Sequence, residues 1–191
     1  MAIKYPIPDI QVNKKSNVRT HGMLFENSLN LSNEYYLMHN VAIIHKKPTP
    51  VQVVRVDYPS RTRARISEAY YKQPSTTDYN GIYRGKYIDY EAKETVNLSF
   101  SFKHIFDHQL IHLKKVNEQG GMAFVIIYFK KVNEIYIIHI ADFLTLMQQG
   151  LKSVTIEKAK EIGKFVKQGY APLIDYLKAV DEMFFDNSQS K

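Results

Sequence analysis

Two carboxylates and a lysine stand close together in the middle of this chain: Asp78, then Glu91 and Lys93 within Tyr87-Ile88-Asp89-Tyr90-Glu91-Ala92-Lys93. Hard divalent cations such as Mg²⁺ take oxygen ligands and keep several waters, so one or two carboxylates suffice to hold them. An ion held this way activates water and offsets the charge that develops on a phosphodiester under attack. A lysine two residues from a metal-binding glutamate reaches the same phosphate, where its ammonium can stabilise the transition state. Without that context, Glu-x-Lys is also the ordinary polar face of an edge strand, and the triplet recurs by chance in many proteins.

The chemistry requires elements that bring the three together. Residues 86–93 read as a strand, in which Asp89, Glu91 and Lys93 project to one side while Ile88, Tyr90 and Ala92 point into the core. Tyr79-Asn80-Gly81 reads as a turn, across which Asp78 is carried to the same edge. Around this centre a helix is expected over 22–38, with Phe25, Leu29 and Tyr36 on one face. A short strand follows over 41–45, closed by Lys46-Lys47-Pro48-Thr49-Pro50, where two prolines forbid regular structure. Residues 51–57 and 64–71 alternate as two strands of a long hairpin with Arg61, Arg63 and Arg65 at its tip. A helix is read over 102–118, apolar strands over 122–129 and 134–140, and helices near 141–149, 155–163 and 172–185. This order predicts an α/β domain with a mixed central sheet flanked by helices.

The 191 residues suit one domain, expected over 21–191, with a basic flexible arm over 1–20 that holds Lys14, Lys15 and Arg19. There is no cysteine, which excludes disulfides, thiolate zinc sites and cysteine nucleophiles. No apolar run is long enough to span a membrane, and Pro6, Pro8 and Asp9 interrupt the start where a signal peptide needs an apolar stretch. A cytoplasmic protein is expected. The net charge is +7, and residues 1–66 carry ten lysines and arginines against four acids. That asymmetry suits a polyanion such as nucleic acid.

Several linked segments carry a resemblance. They are Ile44-His45-Lys46-Lys47-Pro48-Thr49-Pro50-Val51-Gln52, Glu68-Ala69-Tyr70, Ser75-Thr76-Thr77-Asp78-Tyr79-Asn80-Gly81, 87–95, Asp107-His108-Gln109 and Gly169-Tyr170-Ala171-Pro172. Together they resemble the RecU Holliday junction resolvases of Gram-positive bacteria, over roughly residues 20 to 185. The resemblance implies a restriction-endonuclease-like fold of the PD-(D/E)xK superfamily, here with Thr77 in the place of the proline. It implies a homodimeric, Mg²⁺-dependent endodeoxyribonuclease, with Mn²⁺ as a substitute, that resolves four-way junctions in recombination and repair. The implied metal ligands are Thr76, Asp78, Glu91 and Gln109, with Lys93 as transition-state stabiliser and Glu26 as support through water. Contact with the RecA recombinase is implied as well. The hairpin, at about 45–73, resembles the stalk that enters the open centre of a junction. Lys46, Lys47, Arg61, Arg63, Arg65, Tyr71 and Lys72 are then its DNA contacts, by charge or by stacking. Tyr70 and Tyr71 can also pack on the sheet, and that is expected of at least one of them.

Two rival readings follow from the residues. His104, His108 and His112 at i, i+4 and i+8 of one helix suit zinc, although no further ligand completes that site. A junction-binding module without catalysis is the other, and the intact Asp78, Glu91 and Lys93 set speaks against it.

Overall fold

The computed structural model describes residues 21–60, 63–72 and 76–186, with side chains from Phe25 onward in the first helix. Arg61 and the arm over 1–20 lie outside the described residues.

Helices and strands alternate as α1 (His21–Met38), β1 (Ile43–Lys46), β2 (Val51–Ser60), β3 (Arg63–Tyr71), β4 (Tyr79–Tyr83), β5 (Lys86–Thr95), β6 (Ser99–Ser101), α2 (Asp107–Glu118), β7 (Met122–Phe129), β8 (Glu134–His139), α3 (Ile140–Gln148), β9 (Ser153–Thr155), α4 (Ile156–Ile162), β10 (Lys164–Gln168), β11 (Ile174–Asp175) and α5 (Tyr176–Phe184). Seven strands form one sheet in the order β1-β4-β5-β7-β8-β10-β11. Only β5 and β7 run parallel in it, and α2 lies in the connection between them. This is the mixed sheet flanked by helices that the sequence predicts.

The sheet is buried on both faces. On one, Phe25, Leu29 and Tyr36 of α1 and Tyr176, Leu177 and Val180 of α5 pack with Ile88, Tyr90, Phe124 and Ile126. On the other, Leu110 and Leu113 of α2 and Phe143 of α3 cover Ala123, Val125 and Ile127. β5 is therefore an interior strand, and the side chains of Asp89 and Glu91, on the α2 face, are fully buried. This removes the reading of a solvated edge strand.

Tyr79-Asn80-Gly81 forms β4 rather than a turn. The turn lies at Arg84-Gly85, with φ of 48° and 76°, the two positive values that a tight hairpin connection of matching twist requires. Gly81 is needed for another reason: a Cβ there would lie 2.0 Å from the Ile43 carbonyl oxygen of β1. The expected helix over 102–118 is interrupted, because Phe106 is extended (φ −80°, ψ 149°) and α2 starts only after it. Short strands also replace chain read as helix or as connection: β10 pairs with β8 through three residues, and β11 precedes a shorter α5.

β2 and β3 form a separate two-stranded antiparallel sheet with irregular register around Arg55. Almost every residue in it is exposed. Ten residues of extended chain give a hairpin about 30 Å long, standing out from the domain as the expected stalk. Tyr70 and Tyr71 are both exposed, so neither packs on the main sheet.

Gly81→Ala should cost more than about 2 kcal/mol, because the added methyl meets backbone that cannot rotate away. Urea denaturation checks this; a loss below about 0.5 kcal/mol would show that β1 is not held against β4 at this point.

Candidate active site

Register brings the carboxylates together. Tyr79 of β4 lies opposite Tyr90 of β5, and their rings stack at 4.8 Å between centroids, with Phe124 stacked on Tyr90 at 5.0 Å. Tyr90 hydroxyl accepts from Asn33 Nδ2 of α1 (3.3 Å). This ordered aromatic face fixes β4 against β5, and Asp78, one residue before Tyr79, arrives beside Glu91. Asp78 Oδ2 accepts the backbone N–H of Ala92 (3.0 Å), and its carbonyl accepts that of Lys47 (2.7 Å).

Glu91 Oε1 receives two donors: Lys93 Nζ at 2.6 Å and Gln109 Nε2 at 2.7 Å. Its other oxygen, Oε2, is buried and meets no hydrogen-bond donor among the described residues. Burial first, and then the neighbouring Asp78 carboxylate, push the Glu91 carboxyl up to about 7 despite the opposing pull of Lys93. The two carboxyl groups thus lie close enough to repel each other when both are charged, an arrangement that a shared proton or a cation relieves. Glu91, Asp78 and Lys93 stand as the sequence places them, on one side of β5.

Other expected residues sit differently. Gln109 occupies the first turn of α2, where its amide oxygen accepts the Phe106 N–H (3.0 Å). Its side chain meets Glu91 as a donor and so orients that carboxylate rather than offering an oxygen to an ion. The Thr76 hydroxyl, exposed, accepts from Lys47 Nζ (3.1 Å). Glu26 of α1 is half-exposed and paired with Lys46. Lys47, expected on DNA, has a side chain only 13% exposed, and its ammonium turns inward to Asp89 Oδ2 at 2.8 Å.

A second cluster, centred on Asp89, was not assigned from sequence. Oδ2 receives Lys47 Nζ, Tyr87 hydroxyl (2.8 Å) and His112 Nε2 (2.9 Å), and Oδ1 accepts from the Thr77 hydroxyl. Gln109 and His112, three apart on α2, thus cover Glu91 and Asp89, two apart on β5. The alternation that exposes Glu91 to α2 puts Asp89 on the same side; no local pattern announces Lys47 as its partner.

The histidine trio does not converge. His104 lies outside α2 against Phe100, His108 stacks on Phe106, and His112 serves Asp89. Among the described residues no three His, Asp or Glu side chains gather into a metal-holding group; Asp78 and Glu91 are a pair.

Residues 20–182 match the family model for RecU, Recombination protein U. The chain is 45% identical over 201 residues to the Holliday junction resolvase RecU of Geobacillus sp. (strain WCH70), covering 98% of this chain and 100% of that protein. It is 49% identical over 177 residues to the Holliday junction resolvase RecU of Bacillus cereus (strain AH820), with coverage of 90% and 88%. Among solved structures it aligns with Hjc, a Holliday junction resolvase of Archaeoglobus fulgidus, at 12% identity over 74% of this chain and 93% of that one. The TM-score is 0.45, a superposition too loose to bear on this fold.

The raised Glu91 value sets a pH dependence. Without divalent ions the folded chain holds this proton more tightly than the unfolded chain does. Its stabilising contribution is complete below the ordinary value of 4.5 and is lost as the pH rises through about 7. Thermal midpoints in chelator-treated buffer should therefore fall across that window, and Glu91→Gln should flatten the fall. Equal pH slopes for both proteins would contradict the assignment.

Proposed function

The chain belongs to the RecU family, and on that footing we propose that it is a Mg²⁺-dependent endodeoxyribonuclease that resolves four-way DNA junctions by paired nicks. The observation that carries the reading is the buried, donorless Oε2 of Glu91 beside Asp78, with Lys93 on the opposite oxygen. A donor set of carboxylates fits a hard cation such as Mg²⁺, with Mn²⁺ as a substitute. When bound there, such an ion would supply an activated water and positive charge beside the scissile phosphate.

The chain's own residues do the rest. Asp78 and Glu91 would hold the ion, and the Gln109 amide keeps Glu91 turned toward Asp78. Thr76 would add an oxygen ligand, and Glu26 would support the ion through water. Lys93 Nζ, already within hydrogen-bond distance of Glu91 Oε1, would meet a phosphate oxygen and favour the more highly charged transition state. On the stalk, Arg63, Arg65, Lys72 and Tyr71 are exposed and would offer charge and one ring to a branch point; Arg61, outside the described residues, and Lys46 belong to the same proposed set of contacts. Such contacts read phosphate density and shape rather than base sequence.

Two matched strands in a four-way junction call for two matched centres, so a twofold homodimer belongs to this reading. So do contact with the RecA recombinase and a place of action in the cytoplasm, both of which rest on the family alone. Among the described residues no helix is long and apolar enough to cross a membrane.

Nicking of a mobile four-way junction in Mg²⁺ tests the reading. Asp78→Ala should bind the junction as the unaltered protein does and cut it roughly 100-fold more slowly or worse; equal cutting would reject the site. Changing Arg61, Arg63 and Arg65 together to Ala should equalise affinity for junction and linear duplex. Retained discrimination in a gel-shift titration would reject the stalk's role.

A further inference from the structure

Lys47 is the last residue of the domain body before the stalk. It follows β1 directly, and Pro48 and Pro50, which have no N–H to donate, lead on into β2. A lysine beside a DNA-binding stalk is expected to face phosphate. Here its ammonium is instead surrounded by protein acceptors: Asp89 Oδ2 at 2.8 Å, Thr76 Oγ1 at 3.1 Å, and Thr77 Oγ1. Its backbone N–H donates to the Asp78 carbonyl at 2.7 Å. One residue thus grips the chain at both positions before Asp78 and at Asp78 itself. Thr77 completes the ring by donating its own hydroxyl hydrogen to Asp89 Oδ1. The counter-charge, Asp89, is fully buried and held from behind by Tyr87 and by His112 of α2.

From this geometry we infer that Lys47 is a positioning residue for the metal site: clamped on buried Asp89, it fixes the 76–78 segment so that the Asp78 carboxylate stays beside Glu91. The inference rests on the nuclease reading above and adds to that site a residue that holds the chain leading to Asp78 without touching the ion. Asp78 directly precedes β4, whose first residue Tyr79 pairs with Tyr90 of β5 and Lys46 of β1, and its carboxylate accepts the Ala92 N–H; Lys47 adds a hold on the residues just before it. A carboxylate displaced by an ångström there would no longer share an ion with Glu91, whose own position is set independently by Lys93 and Gln109. Groups that orient ligands without touching the ion typically change metal affinity 10- to 100-fold. A phosphate contact, by contrast, would change DNA affinity and its salt dependence.

The test measures Mn²⁺ binding to the full chain without DNA, by the electron paramagnetic resonance signal of the free ion, alongside junction binding in chelator and junction cutting. The variants are Lys47→Met and the double variant K47M/D89N. The double variant removes both charges, so no carboxylate is left buried without its partner, and it keeps the test open if the single variant does not fold. Circular dichroism at the working temperature confirms which proteins are folded. In the folded variants the Mn²⁺ dissociation constant should rise about tenfold or more. Junction affinity in chelator, and the slope of its logarithm against log salt, should stay as in the unaltered protein. Where both variants fold, they should be similarly impaired, because both open the same clamp.

Unchanged Mn²⁺ affinity in a folded variant overturns the inference and leaves the nuclease reading standing. So does a salt slope smaller by about one together with weaker metal-free junction binding, which would make Lys47 a phosphate contact. If the unaltered protein neither takes up Mn²⁺ nor cuts the junction, the nuclease reading fails and the inference falls with it.

Discussion

A carboxylate carried into the interior of a β-sheet must find compensation for the water it gives up, since leaving a buried charge unpartnered costs roughly 3–5 kcal/mol. β5 carries two, Asp89 and Glu91, both with no exposed surface, and the rest of the molecule is arranged around how each is answered. Asp89 is saturated, with a lysine, a tyrosine, a histidine and a threonine sharing its two oxygens. Glu91 is answered on one oxygen only, by Lys93 and Gln109. The difference separates a structural ion pair from the carboxylate proposed to bind metal; burial, and then the neighbouring Asp78 carboxylate, raise the Glu91 carboxyl to about 7.

The layers of the domain serve this contrast. The aromatic column Tyr79, Tyr90 and Phe124 on the α1 face fixes the register of β4, β5 and β7, and thereby the distance between Asp78 and Glu91. On the other face α2 supplies Gln109 and His112 at the helical spacing that matches alternate residues of the strand. The stalk contributes nothing to the core and shares no strand pairing with the main sheet. Its exposed cations and apolar side chains, Val53, Val54 and Ile66 among them, are instead available to a partner. Nucleic acid, which presents both charge and stacked bases, fits such a surface.

Much of this was legible in the residues because the signals were local and repeated. β7 and β8 are unbroken apolar runs, and their expected bounds match to within a residue; the alternation in β5 fixed which side Glu91 and Lys93 share. The misreadings share a cause in longer-range constraint. Asn80-Gly81 has the composition of a tight turn, yet the glycine is there because β1 passes against it, and the turn falls instead at Arg84-Gly85. β10 is too short for its alternation to compete with the helical pattern on either side, and pairing with β8 and β11 makes it a strand. Lys47 lies 42 residues from Asp89, so a basic stretch before a stalk read as a DNA contact. Gln109 lies beside Glu91, but its amide oxygen accepts the Phe106 N–H at the start of α2, which no spacing reveals.

The account turns on whether one cation sits between Asp78 and Glu91. Anomalous diffraction from crystals of the protein soaked in Mn²⁺ would decide it most directly. A single strong peak is predicted within about 2–2.5 Å of Glu91 Oε2 and of an Asp78 carboxylate oxygen, as befits oxygen ligation of a hard divalent ion. A fully occupied peak elsewhere, or a Glu91 Oε2 found taking its hydrogen bond from a protein group with no ion beside it, would contradict the account.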